Sequence, residues 1–320
     1  MQQHHIPVLL HEVLEGLQCA QKGVYLDCTV GCGGHAAAIL ACHPENRVIG
    51  IDRDSAALQI ARQRLQPFED RVVLYHERFE QVDLVLQSAD IQNQIEPYVD
   101  GILCDLGVSS LQLDDAERGF SFQHTGWLDM RMNQHEPEIS STRTAYEVVN
   151  TYAAKDLADL FFRYGEERHA RRIARRIVEA RSQQPIETTT QLADLVARAI
   201  PKRFHPQGIH PATRVFQAIR IEVNEELESL GSAIERLVRF LRPDRRIGVI
   251  AFHSLEDRIV KRTYVKLAKG CQCPPDFPVC VCGRQPAVQI ISKKPIRASR
   301  EEYAHNPRSR SAKFRIAQKI

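Results

Sequence analysis

The chain has 320 residues, a formal net charge of +3, 43% hydrophobic and 26% charged residues, a balance that excludes disordered and fibrous classes. No apolar run approaches the ~20 residues of a membrane helix, and the opening MQQHHIPVLL lacks a signal-peptide pattern, so a soluble, cytoplasmic protein with no membrane partner is expected. Nine cysteines, an odd number with five in the first third, read as free thiols in a reducing compartment, and the length predicts two domains or one with an insertion.

A short helix is predicted over His11–Leu17. It precedes the most telling stretch, VYLDCTVGCGGH (Val24–His35) followed by RVIGIDRD (Arg47–Asp54). An apolar run ends in Asp27, crosses a turn containing Gly31, Gly33 and Gly34, and enters a helical AAAIL; a second apolar run ends in Asp52. This is strand, turn, helix, strand, with acids at both carboxyl strand ends, where open parallel sheets bind ligands. A carboxylate ending the second strand suits ribose hydroxyls, so a nucleoside-bearing cofactor is expected. A nicotinamide dinucleotide would lay its pyrophosphate on the helix N-terminus, where a preceding acid repels it. The register G-C-G-G-H lacks the third glycine at the required spacing, and Asp27 stands four residues before Gly31. S-adenosylmethionine carries a sulfonium and an ammonium, both attracted by carboxylates. The loop charge therefore favours S-adenosylmethionine.

Further strands are predicted at Val72–Tyr75 and Gly101–Asp105, completing the alternation of a doubly wound α/β sheet. The alternation stops near Leu111, and from Ala145 to Ala199 only helical periodicity remains. Within EERHARRIARRIVEAR, the residues Ala170, Ile173, Ala174, Ile177 and Val178 form one buried stripe. Arg168, Arg171, Arg172, Arg175 and Arg176 cover the rest. The tail from Lys293 carries nine basic residues against two acids. Arginine-rich surface beside a nucleoside cofactor points to a polyanionic substrate; the alternative is a solvated face paired to Glu166, Glu167 and Glu179. A helix over Arg214–Leu241 and strands at Ile247–Phe252, Ala287–Ile291 and Ala312–Ile316 follow. The expected architecture is an α/β, Rossmann-like sheet, mostly parallel with one antiparallel strand, built from 1–112 and 214–320, with an all-helical substrate-recognition domain inserted at 113–213.

Four other constellations invite chemistry. Asp105, ending the fourth strand ahead of Leu106–Ser110, sits where this architecture places the reacting group. Cys104 lies inside that strand with no paired base and reads as a small core residue, as do Cys28 and Cys32. Cys271, Cys273, Cys280 and Cys282 could wrap one zinc ion, but C-x-C spacing departs from the usual C-x₂₋₄-C and no metal is assigned. His253, Ser254 and Asp257 in FHSLEDR resemble triad components, yet no G-x-S-x-G elbow supports a hydrolase.

The blocks HIPVLLHE, LDCTVGCGGH, GIDRD, DGILCDLGVSSLQLDDAERGFSF, GWLDMRM, YGEERHARRIARRIV, HPATRVFQAIRIEVNEEL, FHSLEDRIVK and NPRSRSAKFRIA occur in this order. Together they closely resemble the MraW family of bacterial 16S rRNA (cytosine-N4) methyltransferases, over nearly the whole chain. The resemblance implies S-adenosylmethionine as methyl donor and a cytidine amine of 16S ribosomal RNA, in the decoding region of the small subunit, as acceptor. It implies cofactor contacts from Gly33, Gly34, His35, Asp52, Phe79, Asp105 and Gln112, with Asp105 also orienting the amine. Arg168, Arg171, Arg172 and Arg175 are the expected RNA contacts, and Phe120, Phe122 or Trp127 the expected stacking residues. The rival reading is a non-catalytic RNA-binding assembly factor on the same fold; the oligomeric state, a homodimer included, stays open.

Overall fold

The computed structural model describes residues 6–93, 98–133, 143–270, 273–274, 277–279 and 281–320. The chain divides into two compact units, Met1–Gly107 with Leu227–Ile320, and Val108–Glu226.

The first unit opens with α1 (Leu10–Gly16), β1 (Val24–Asp27), α2 (Gly34–Cys42), β2 (Arg47–Asp52), α3 (Ser55–Leu65), β3 (Val72–His76), α4 (Val82–Asn93) and β4 (Val99–Asp105). The second unit contains α5 (Ser110–Asp114), α6 (Ala145–Thr151), α7 (Ala154–Gly165), α8 (Ala170–Arg181), α9 (Thr189–Ala199) and α10 (Thr213–Asn224). The chain then returns to the first unit through α11 (Leu230–Phe240), β5 (Leu241–Ala251), α12 (Ser254–Lys269), β6 (Val288–Ile290), α13 (Arg300–His305) and β7 (Lys313–Lys319).

The strands form one seven-stranded sheet in the order β3-β2-β1-β4-β5-β7-β6. β1 to β5 are mutually parallel, and β7 runs antiparallel to both β5 and β6. The expected mostly parallel sheet with one reversed strand is therefore what the chain forms. Its central strands are continuous apolar runs because helices cover both faces; Leu26, Ile49, Ile102 and Ile247 are buried on one side, and Tyr25, Val48, Leu103 and Ile250 on the other. Between β1 and β4 the strand order reverses direction, which opens the crevice at their carboxyl ends.

The second unit has its own core. α8 buries Ala170, Ile173, Ala174 and Ile177 and leaves its arginines outside. The helix expected over Arg214–Leu241 is two helices: Glu225 takes a left-handed conformation (φ 53°) and ends α10. Val215, Phe216, Ile219 and Val223 of α10 belong to the helical core, so this unit runs wider at both ends than 113–213.

Asn46 holds the start of β1 in place. Its side chain, fully buried, accepts from Gly23 N–H at 3.1 Å and donates to the carbonyls of Cys19 at 2.8 Å and Ile39 at 2.9 Å. Asn46→Leu strands these groups without water. Chemical denaturation is expected to show a loss of about 2–4 kcal/mol.

Candidate active site

The glycine-rich turn is shaped by backbone geometry. Gly31 (φ 51°) and Gly33 (φ 78°) are left-handed, a region L side chains rarely adopt. Gly34 needs its missing side chain for another reason: a Cβ there would lie 2.7 Å from Pro7 Cγ. Gly33 caps α2 without a side chain, so no capping side chain occupies the first-turn N–H groups.

Side chains at the strand ends tie this turn to the sheet. Thr29 N–H donates to Asp27 Oδ1 at 3.3 Å, and Asp105 N–H donates to the Thr29 hydroxyl at 2.7 Å. Asp52 accepts Gly31 N–H on Oδ2 at 2.7 Å and Asp54 N–H on Oδ1 at 2.8 Å. One carboxylate thus holds the turn on one side and the entry to α3 on the other. Each oxygen keeps a further lone pair for a hydroxyl donor.

His35, buried at 6% exposure, places its Nε2 3.5 Å from Asp105 Oδ2. Asp27 is buried at the end of β1. Burial pushes its carboxyl up to about 7, against the imidazole of His35 and the Thr29 N–H, while Asp105 and Asp52 add repulsion. Burial likewise raises Asp52 to about 6, opposed by the N–H groups of Asp54 and Gly31. Asp27 Oδ2, Asp105 Oδ1 and both His35 ring nitrogens are buried without a hydrogen bond among the described residues. Orphaned buried polar atoms are rare in folded proteins, and a cluster of them at a strand-end crevice marks a ligand site. Three acids and one imidazole suit a ligand bringing cationic donors and repel a pyrophosphate. S-adenosylmethionine, with its sulfonium, ammonium and ribose hydroxyls, fits this donor set.

Of the residues expected from sequence, Gly33, Gly34, His35, Asp52 and Asp105 meet at these strand ends, and half-buried Phe79 follows β3. Gln112 belongs to the helical unit. There its Oε1 accepts Ser109 N–H at 2.9 Å and its N–H donates to Ser109 Oγ at 3.3 Å, closing a capping box on α5. Asp27 and Thr29 enter as organising residues; the D-x-T spacing, in which Asp27 accepts the N–H two residues on, is the signal that could have found Thr29.

The other constellations resolve as structure. His253 caps α12: Glu256 N–H donates to its Nδ1 at 3.4 Å, and Glu256 Oε2 accepts Phe252 N–H at 2.8 Å and His253 N–H at 3.2 Å. Cys28 and Cys104 are buried core residues, and burial raises the Cys28 thiol. Cys271 and Cys280 lie outside the described residues, and with them the four-thiol arrangement that would include Cys273 and Cys282. Phe120 is buried in the helical core and offers no free face, while Phe122 packs edge-on to Phe216 at 4.7 Å and against His210 at 4.8 Å. Trp127 stacks on Tyr146 at 4.9 Å and stays 42% exposed.

Arg168, Arg171, Arg172 and Arg175 are exposed on and just before α8 and have no acidic partner among the described residues. Only Arg176 pairs with Glu179, at 2.9 Å, while the buried Glu167 accepts His169 N–H at 2.7 Å. Of the acids that could neutralise this face, Glu167 is thus held on a backbone N–H and Glu179 on Arg176.

This strand order, with an acid-lined, glycine-framed site at the switch point, defines an S-adenosylmethionine-dependent methyltransferase. Residues 2–320 match the MraW methylase family. Ribosomal RNA small subunit methyltransferase H of Clostridium botulinum (strain Loch Maree / Type A3) is 50% identical over 321 residues, covering 100% of both chains. The enzyme of the same name from Symbiobacterium thermophilum is 50% identical over 319 residues, covering 99% of this chain and 97% of its own. Among solved structures, an rRNA methylase from Streptococcus thermophilus aligns over 99% of both chains at 10% identity with a TM-score of 0.42. The chain belongs to the MraW methylase family, and its cofactor is S-adenosylmethionine.

Carboxylates meet a cation only when ionised, and Asp27 sits at about 7 and Asp52 at about 6. Affinity for S-adenosylmethionine should therefore be full at pH 8 and fall as pH drops through 7 and 6, by up to about tenfold per unit for each group. Calorimetric titration from pH 5.5 to 8.5 measures this. In Asp27→Asn the step near 7 should vanish; an unchanged profile removes Asp27 from cofactor binding.

Proposed function

We propose that this methylase transfers the methyl group of S-adenosylmethionine to the exocyclic N4 amine of a cytidine in the decoding region of 16S ribosomal RNA. It acts on the small ribosomal subunit in the cytoplasm. The observation that carries the chemistry is Asp105, at the crevice end of β4 with its Oδ1 unpartnered among the described residues. The target is supported by the name shared by the full-length relatives at about half identity.

The cofactor supplies an electrophilic methyl on a sulfonium; the chain must supply the rest. Cytosine N4 is a poor nucleophile because its lone pair is delocalised into the ring. Methylation needs the amine held in line and about 3–3.5 Å from the methyl. Asp105 Oδ1 and the carbonyls of Leu106 and Gly107 accept the amine N–H groups, fix its direction and face the positive charge that develops on nitrogen. Gly33, Gly34, His35 and Phe79 hold the donor and Asp52 its ribose; Gln112 is assigned on family resemblance alone. The base must leave its stack, at a cost lowest for an unpaired strand. Arg168, Arg171, Arg172 and Arg175 grip phosphates of the flanking RNA.

Incubating the protein with small ribosomal subunits and labelled S-adenosylmethionine, then digesting the RNA to nucleosides, tests the assignment. N4-methylcytidine is expected; 5-methylcytidine would redirect it to a cysteine mechanism, and absence of label to a non-catalytic assembly factor.

Two variants separate the roles. In Asp105→Ala, single-turnover methyl transfer should fall at least ~100-fold, the scale of losing one preorganised stabilising group; near-wild-type turnover removes Asp105 from the reaction. Replacing Arg171, Arg172 and Arg175 together with Gln should weaken RNA binding and flatten its salt dependence by about 0.7 to 0.9 for each phosphate left without its arginine. An unchanged slope in filter binding would sink the phosphate assignment.

A further inference from the structure

The loop between α9 and α10 presents an aromatic ring to solvent on a rigid mount. Phe204 is 51% exposed and closes the short turn Lys202–Phe204. Phe204 N–H donates to Pro201 O at 2.8 Å and His205 N–H to Lys202 O at 3.1 Å. The His205 ring then pins the turn to the end of α9, its Nε2 lying 3.2 Å from Ala197 O and 3.0 Å from Ile200 O. A single exposed apolar side chain is ordinary on a protein surface. Phe204 differs in being held from two sides: the Arg203 guanidinium lies over its ring at 4.8 Å, and the His169 ring is tilted against it at 5.0 Å.

His169 is the residue that begins α8, and its carbonyl accepts Arg172 N–H at 2.9 Å. Phe204 therefore stands beside the amino end of the arginine helix, against His169, which follows Arg168 in the chain and precedes Arg172 by one turn. Lys202, Arg203, Arg168 and Arg172 are exposed and have no acidic partner among the described residues. Planar aromatic surface set among uncompensated guanidinium groups is the composition of a single-strand nucleic-acid platform, where bases stack and cations track the backbone. Double-stranded RNA offers no free base face to such a ring. The chemistry thus selects an unpaired strand.

We propose that Phe204, framed by Arg203 and His169, is a stacking platform for an unpaired base of the RNA substrate, with Arg168 and Arg172 on adjoining phosphates. This rests on the RNA substrate proposed above and locates the stacking surface that Phe120, buried in the core, does not provide.

Fluorescence anisotropy of the full-length protein tests it, using a labelled unpaired RNA of about 12 nucleotides and a duplex of equal length. Phe204→Ala should weaken the unpaired strand about tenfold, leave the duplex within about twofold and keep the salt slope. Phe204→Trp, which restores a planar ring, should bind like the parent. Arg172→Gln should instead lower the salt slope by about 0.7, the share of one phosphate on a single strand. Unchanged binding of the unpaired RNA by Phe204→Ala, or equal weakening of strand and duplex, overturns the platform. Should subunits carry N4-methylcytidine while Phe204→Ala binds normally, the platform alone falls. Should they carry no label while Phe204→Ala still loses the unpaired strand, the substrate assignment falls and the platform stands.

Discussion

Strand order brings Asp27, Asp52 and Asp105 to one edge of the sheet, and the protein must hold these like charges close together with little water. Much of the local structure is a response to that tension. Asp52 is eased by two backbone N–H groups, one from each loop it connects. Asp27 receives one N–H, from Thr29, and the neighbourhood of His35. Its carboxyl nevertheless rises to about 7, which means the site at neutral pH is divided between a protonated and an ionised form. A cation removes the conflict. The left-handed turn at Gly31 and Gly33 accompanies this, with Gly31 N–H donating to the Asp52 carboxylate at 2.7 Å.

How much of this was legible in the sequence follows from which signals are local. The parallel strands announced themselves as apolar runs ending in acids, and the arginine helix by its apolar stripe. The glycine register and Asp27 together favoured S-adenosylmethionine over a dinucleotide on sequence alone. Long-range ties were not legible: nothing in the string shows that Asp105 N–H finds the Thr29 hydroxyl across the switch point. The helix break at Glu225 was missed because a left-handed residue that ends a helix is usually glycine or asparagine. Asn224, the last residue of α10, is tied at long range: its side chain donates to Met130 O at 2.8 Å and accepts Met132 N–H at 2.9 Å. FHSLEDR carries chemistry-bearing residue types, but without a G-x-S-x-G elbow it does not read as a triad, and the work of His253 and Glu256 is to cap α12.

Arginines show most clearly what composition conceals. In the helical unit, Arg118 is buried and donates to the carbonyls of Arg131 and Met132, and Arg181 donates to those of Val149 and Tyr152. Arg131 and Arg220 are bound to Asp129 and Glu226 through paired contacts of 2.7–3.0 Å. Such groups are already committed, and a phosphate could recruit them only by breaking internal structure. Arg168, Arg171, Arg172 and Arg175 have no such commitment among the described residues. Like charges four residues apart on a helix repel, so Arg171 with Arg175 opposes folding unless a counter-charge arrives. An acid at any of the neighbouring exposed positions would relieve that repulsion at no packing cost. The chain instead places Glu167 inside, on a backbone N–H, and Glu179 against Arg176. A face left repulsive where neutralisation was this easy is what the proposed phosphate contacts require, as the unpartnered sheet-end acids suit a cationic donor. The two units carry opposite charge problems, and the proposed reaction brings to each the counter-charge it lacks, a cationic donor to the acids and an anionic acceptor to the arginines.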